Sequence, residues 1–147
     1  MKIMIINGPN INMLGIREPE VYGCETYLDL VNYIMQSANS LNILAECYQS
    51  NNEGEIVDKI QRCFFEKYSG IVINPAAYTH TSIAIYDALK ATRIPSVEVH
   101  ISDITNREEF RKKSYISDAC IKTIFGKGFK GYKIALEFLS KKIRSKS

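Results

Sequence analysis

Five short runs of β-branched and other apolar residues, each followed by a segment with helical spacing, constrain this chain most tightly. The runs are Lys2–Asn7, Ile43–Gln49, Gly70–Asn74, Ser96–His100 and Ala119–Phe125. The first and third are apolar almost throughout, as expected of strands covered on both faces. The second is more polar and suits a sheet edge. Between the runs, Leu30, Val31, Ile34, Ala38 and Leu41 form one helical stripe, and Ile56, Val57, Ile60, Cys63 and Phe64 form another. Ile83, Ala84, Ala88 and Leu89 form a third. A closing helix over Tyr132–Lys142 turns Ile134, Ala135, Phe138 and Leu139 inward. Helix starts are marked by Thr26, with Asp29 three residues on as in a capping box, by Asn51 or Asn52, and by Thr81 or Ser82. Asn106 to Lys112 reads as a short helix on an excursion.

Strands alternating with helices predict an α/β fold with a parallel sheet and right-handed crossovers. The richest loops follow the first and third strands, which places the switch point between them. That is the flavodoxin-like, three-layer arrangement with a five-stranded parallel sheet in the order 2-1-3-4-5, whose ligands bind beyond the carboxyl ends of the strands. At 147 residues the chain suits one domain, 1–147, ending in a solvated basic tail at about 141–147.

The totals exclude several classes. A net charge of +3, with much of it in Lys141, Lys142, Arg144 and Lys146, leaves no basic stripe interleaved with aromatics, so no nucleic-acid partner is expected. No apolar stretch approaches the roughly 18 residues a membrane helix needs. Cys24, Cys47, Cys63 and Cys120 form no C-x-x-C pair. With no signal-peptide pattern, free thiols and a cytoplasmic location follow as expectations. The two histidines, His80 and His100, lack H-E-x-x-H spacing, so no metal is expected. The G-x-S-x-G elbow of serine hydrolases is also absent.

The loops carry the chemistry. The first reads Asn7-Gly8-Pro9-Asn10-Ile11-Asn12-Met13-Leu14-Gly15, then Arg17-Glu18-Pro19-Glu20-Val21-Tyr22-Gly23. Gln49-Ser50-Asn51 follows the second strand, with Glu53-Gly54-Glu55 after it. Asn74-Pro75 with Tyr78-Thr79-His80-Thr81-Ser82 follows the third, and Glu98-Val99-His100-Ile101-Ser102 closes the fourth. Arg107-Glu108-Glu109-Phe110-Arg111 and Ser114-Tyr115-Ile116-Ser117 come next. In this order, over about residues 2 to 140, these segments resemble the type II 3-dehydroquinate dehydratases.

The resemblance implies a cofactor-free lyase of the shikimate pathway or its catabolic counterpart. It would eliminate water from 3-dehydroquinate through an enolate to give 3-dehydroshikimate. Such a reaction needs a base, donors for the enolate oxygen and an acid for the departing hydroxyl. By resemblance Tyr22 is the base, activated by Arg17, and Asn10 helps hold the water that stabilises the enolate. Ionising a free tyrosine at pH 7 costs about 4 kcal/mol, and a cation within about 4–6 Å offsets part of that. His100 is the acid. Glu98, two residues earlier, points to the same side of the strand and orients the imidazole. Asn74 and His80 correspond to substrate binders, the backbone N–H groups of Ile101 and Ser102 to the carboxylate site, and Arg111 to a ligand of a ring hydroxyl. Arg107 would share a helical face with Arg111. Asp87 corresponds to a residue that reaches a neighbouring subunit's site in the trimer-based dodecamers of the family. The segment from about Ile16 to Cys24 would close over substrate.

Two features depart from the pattern. Ala76 stands where relatives commonly carry glycine, and the expectation is a backbone that tolerates a β-carbon there. Gly126-Lys127-Gly128-Phe129-Lys130-Gly131 fits the dinucleotide fingerprint, but the acidic residue about 20 positions on is lacking. These glycines are read as turn formers. A flavodoxin-like binding or signalling module and an inactive polyol-binding protein stand as alternatives, although the acidic or hydroxyl-rich loop of the first is missing after the first strand.

Overall fold

The computed structural model describes residues 1–16 and 18–147, with Val21 and Tyr22 described by their backbone alone. The strands are β1 (Lys2–Asn7), β2 (Leu44–Gln49), β3 (Gly70–Asn74), β4 (Ser96–His100) and β5 (Lys122–Phe125). All pairings are parallel and the order is β2-β1-β3-β4-β5, as the loop pattern predicts. The helices are α1 (Pro19–Tyr22), α2 (Tyr27–Ser40), α3 (Glu53–Phe65), α4 (Ile83–Thr92) and α5 (Lys130–Arg144). Among the described residues no helix is long and apolar enough to cross a membrane.

Period-two alternation sorts the strands onto two cores. Ile3, Ile5, Val72, Val97 and Val99 pack with Leu30, Ile34, Ala38, Ala135, Leu136 and Leu139 of α2 and α5. Met4, Ile6, Ile71 and Ile73 pack with Ile56, Ile60, Cys63, Ile85 and Leu89 of α3 and α4. Each fully buried side chain of this size contributes about 1.5–3 kcal/mol, which fixes the strand register. Thr26 and Asp29 form the reciprocal capping box, with Thr26 N–H donating to Asp29 Oδ2 at 2.8 Å. Ser82 caps α4 by accepting from Ile85 N–H.

Several sequence expectations change, Ala84 and Ile134 among them, since both are exposed. Phe64 is 55% exposed and Ile83 59%, because a single row, Ile56-Ile60-Cys63 on α3 and Ile85-Ala88-Leu89 on α4, fills the space against the sheet. Phe64 instead meets Phe65 edge-on at 5.4 Å. The excursion holds 3-10 turns at Ile104–Asn106 and Glu109–Arg111 in place of a helix, the first capped by the Asp103 carboxylate. A further 3-10 turn at Ser117–Ala119 delays the last strand to Lys122. Helix α5 continues through Lys141, Lys142 and Arg144, cations that suit a helix C-terminus. Arg144 donates to the Leu41 carbonyl at 3.1 Å, so residues 141–144 are helix and only 145–147 follow it.

Register brings polar residues into one row at the carboxyl end of the sheet. Asn7 of β1 stands opposite Gln49 of β2 and Asn74 of β3. His100 ends β4 opposite Phe125.

Candidate active site

A cleft of about 190 Å³ opens beyond this edge, lined by the loops after β1, β3 and β4. Its floor depends on a close backbone approach. Gly8 N–H donates to the Asn74 carbonyl at 2.8 Å, and a β-carbon on Gly8 would lie 2.5 Å from the Pro75 carbonyl oxygen. Only glycine fits there. Gln49 Nε2 then ties the Gly8 carbonyl and the side chains of Asn12 and Asn51 together. Asn10 lies in the left-handed region at φ 67°, which asparagine tolerates better than most residues, and its N–H donates to Asn51 Oδ1.

Beside this floor stands a buried carboxylate–imidazole pair. Glu98 is fully buried and accepts from four side chains: His100 Nε2 at 2.6 Å, Ser114 and Ser117 hydroxyls at 2.8 Å each, and Thr123 at 3.2 Å. Burial alone would raise the Glu98 pKa. The hydrogen bond and charge of His100, with the two serine hydroxyls, outweigh that and hold the carboxyl below the usual glutamate value. A carboxylate can only accept, so Nε2 of His100 carries hydrogen and Nδ1 is the nitrogen left for proton exchange. Ser114 is itself fixed, because its hydroxyl also accepts from the N–H groups of Ile116 and Ser117.

His80 is pinned by the same logic. Its Nδ1 lies 2.7 Å from the Lys113 carbonyl, which assigns the hydrogen to Nδ1 and leaves Nε2 available. Arg107 and Arg111 both border the cleft and share Glu108, at 3.8 and 2.9 Å from their Nε atoms. The Arg111 contact is a charge pair without an aligned hydrogen bond, since its buried Nε has no directed partner among the described residues. The Glu108 carboxyl is held below its usual value by its own backbone N–H first, then by Arg111 and Arg107. The two arginines meet through this carboxylate across a loop and a 3-10 turn, in place of the expected shared helical face.

The glycine motif shapes the rim after β4. Gly126 and Gly128 have φ of 73° and 56°. Their N–H groups donate to the carbonyls of Ser102 and Ile101, both at 3.1 Å. In a trans peptide the C=O and the next N–H point oppositely, so Gly128 turns the Ser102 N–H away from itself. Gly131 lets α5 approach β4, since a β-carbon there would lie 3.2 Å from Val99 Cγ1. The turn-forming expectation thus gains a second part: the loop also holds the Ile101–Ser102 backbone.

Asn74 is buried at the base of the cleft. Its Oδ1 accepts from the Ala76 N–H at 3.2 Å and its Nδ2 donates to the Tyr132 hydroxyl at 3.0 Å. That hydroxyl donates to Asn7 Oδ1 at 2.7 Å. Ala76 has φ 53°, so the position is left-handed, contrary to the expectation of an ordinary backbone there.

Of the expected site residues, Asn10, Asn74, His80, His100, Ile101, Ser102 and Arg111 line the cleft, and Glu98 lies behind His100. Asp87 is exposed on α4 and does not line it. Tyr22 ends α1, its side chain outside the described residues, and Arg17 lies outside them altogether. Pro9, Ile11, Leu14, Ala77, Ile104 and Arg107 also form the lining. Of these, the apolar ones carried no chemical signal in sequence. Ser114, Ser117, Thr123 and Tyr132 support the site through hydrogen bonds that only folding reveals. Among the described residues no cluster of three or more His, Cys, Asp or Glu side chains could hold a metal ion.

Residues 1–140 match the family model of class II dehydroquinases. The chain is similar to the 3-dehydroquinate dehydratase of Clostridium perfringens, 55% identical over 146 residues, covering 99% of this chain and 100% of the relative. It is 56% identical over 135 residues to that of Caldicellulosiruptor bescii, covering 92% and 93%. Among solved structures it is similar to the type II dehydroquinase of Butyrivibrio crossotus, with a TM-score of 0.93 and 54% identity over 95% of this chain and 97% of the other. The enzyme from Propionibacterium acnes gives 0.91 and 41%, over 95% and 96%.

Proposed function

Because the chain belongs to the class II dehydroquinase family, its activity is that of a 3-dehydroquinate dehydratase, a hydro-lyase, and we propose that it works by stepwise elimination through an enolate. Tyr22, activated by Arg17, removes the proton beside the ketone. Asn10 helps position the water that steadies the enolate oxygen. His100 gives up the proton on Nδ1 to the leaving hydroxyl, and the buried Glu98 carboxylate stabilises the imidazolium that precedes transfer. Asn74 and His80 Nε2 bind the hydroxyl and carboxylate regions of the substrate, with Asn74 near the leaving group, Arg111 binds a ring hydroxyl, and the N–H groups of Ile101 and Ser102 take the carboxylate. Asp87 completes the site of a neighbouring copy in a trimer-based dodecamer, which fits its exposure on α4 and its absence from the cleft of its own chain. The enzyme acts in the cytoplasm, in the shikimate pathway or its catabolic counterpart.

The observation that carries this mechanism is the Glu98–His100 pair at 2.6 Å, buried behind a cleft lined by amides, a second histidine and arginines. The absorbance of the conjugated enone product, followed with and without chelator, tests it. Turnover unaffected by chelator is expected. Failure to form the enone from 3-dehydroquinate would overturn the assignment.

A further inference from the structure

We propose that Tyr132 is a positioning residue that locks the side-chain amide of Asn74 in one of its two orientations. The inference rests on the reading of Asn74 as a substrate binder. Tyr132 comes from α5, is fully buried, and touches the cleft nowhere. Among the described residues its hydroxyl links it to the cleft, through Asn74.

The direction of the hydrogen bonds follows from a backbone group whose role is unambiguous. Ala76 N–H can only donate, so the Asn74 atom that faces it must be Oδ1. Nδ2 therefore faces Tyr132 and donates to the phenolic oxygen. A phenol has one proton, and with Asn74 already donating, that proton goes to Asn7 Oδ1. Asn7 thus acts as the acceptor that keeps the tyrosine proton turned away from Asn74. Burial raises the Tyr132 pKa, against the Asn74 hydrogen bond, so the hydroxyl remains a neutral donor and acceptor.

With this lock in place, a ligand meets one free N–H of Asn74 Nδ2 and one spare lone pair of Oδ1. Rotating the amide by 180° would swap them, face an N–H of Asn74 against the N–H of Ala76, and turn Oδ1 toward a phenol whose proton is committed elsewhere. Asn7 and Asn74 are register partners on adjacent strands, so the bridging hydroxyl reads the pairing of β1 with β3 directly. The strained backbone at Ala76 serves the same end, since it aims the N–H that selects Oδ1.

The test is a double-mutant cycle of Tyr132→Phe and Asn74→Ala, read by kcat and KM in the enone assay with unfolding midpoints measured for every variant. Tyr132→Phe is expected to lower kcat about tenfold or more, as misplacement of a binding group does. In the Asn74→Ala background the same change is expected to alter kcat less than twofold, because residues acting through one group are not additive. A purely structural tyrosine would give the same loss in both backgrounds, and that result overturns the proposal. So does wild-type kcat and KM in Tyr132→Phe. Should Tyr132→Phe fail to fold, Asn7→Ala replaces it in the cycle: it frees the phenolic proton to recruit Asn74 Oδ1, and the same non-additive loss is expected. A wild-type protein that forms no enone would instead defeat the functional reading, which keeps the two failures apart.

Discussion

Gly8→Ala should damage stability and turnover together, although it adds one methyl group. Its β-carbon would lie 2.5 Å from the Pro75 carbonyl oxygen, 2.7 Å from the Pro75 carbonyl carbon and 3.2 Å from the Asn74 carbonyl oxygen. The nearest contact is about 0.7 Å shorter than the ~3.2 Å at which a carbon and an oxygen meet without strain, and the obstacle is backbone, which cannot swing aside as a rotamer can. One of the two loops must move. Overpacking of this kind costs about 1–3 kcal/mol, and loss of the Gly8–Asn74 hydrogen bond adds about 1 kcal/mol. The expected destabilisation is therefore about 2–4 kcal/mol, or a fall in Tm of about 5–15 °C at this chain length. Both loops border the cleft, so a shift approaching 1 Å should lower kcat about 10- to 100-fold. Guanidinium unfolding and the enone assay on the same preparation measure both. A variant within 0.5 kcal/mol and twofold of wild type would refute the claim that this approach sets the floor of the site.

Tyr22→Phe should lose about 10²- to 10⁴-fold in kcat, the usual contribution of a general base, with substrate binding retained; a near-normal rate would remove Tyr22 from that role, and an unchanged rate in Arg17→Ala would do the same for Arg17. Glu98→Gln should lower kcat steeply, because an amide can donate to His100 Nε2 and stabilise the wrong tautomer, and kcat within twofold of wild type would contradict the assignment. The Glu98 carboxyl is held low in the fold, so it contributes stability above the usual glutamate range that is lost as pH falls through its folded value; unfolding midpoints at descending pH should show a drop that is smaller in Glu98→Gln, and parallel curves would count against it. Ala76→Gly relieves a left-handed alanine worth about 1–2 kcal/mol, offset by about 0.4–1 kcal/mol of unfolded-chain entropy; a small gain in denaturation midpoint with unchanged kcat is expected, and a loss would mean that the methyl's packing outweighs the strain.

What could be read from the chain followed the periodicity. Continuous apolar strands and 3.6-residue stripes gave the layer order, and loop richness after β1 and β3 located the edge that carries the cleft. Individual faces were harder: Phe64 and Ile83 continue an apolar pattern, yet one row on each helix fills the available space, and spacing alone does not say how much space the sheet leaves. The segment between β4 and β5 has helical composition but breaks into short turns, because Asp103, Glu108 and Ser114 bond to nearby backbone and side chains instead of permitting a regular helix. Within the site, the histidine and amide positions were legible as loop chemistry. Their supports were not, because Ser114, Ser117, Thr123 and Tyr132 reach the site only through folding, from 16 to 58 positions away in the chain.

The connection from β5 to α5 has a consequence for how the chain can vary. Two of its amides grip the carbonyls of Ser102 and Ile101, so its length and handedness are tied to a rim formed more than twenty residues earlier. An insertion there would not act as a harmless surface elaboration: it would release the Ile101–Ser102 peptide planes, and under the proposed mechanism that weakens capture of the substrate's acid group while leaving the groups proposed for hydroxyl binding and proton transfer in place.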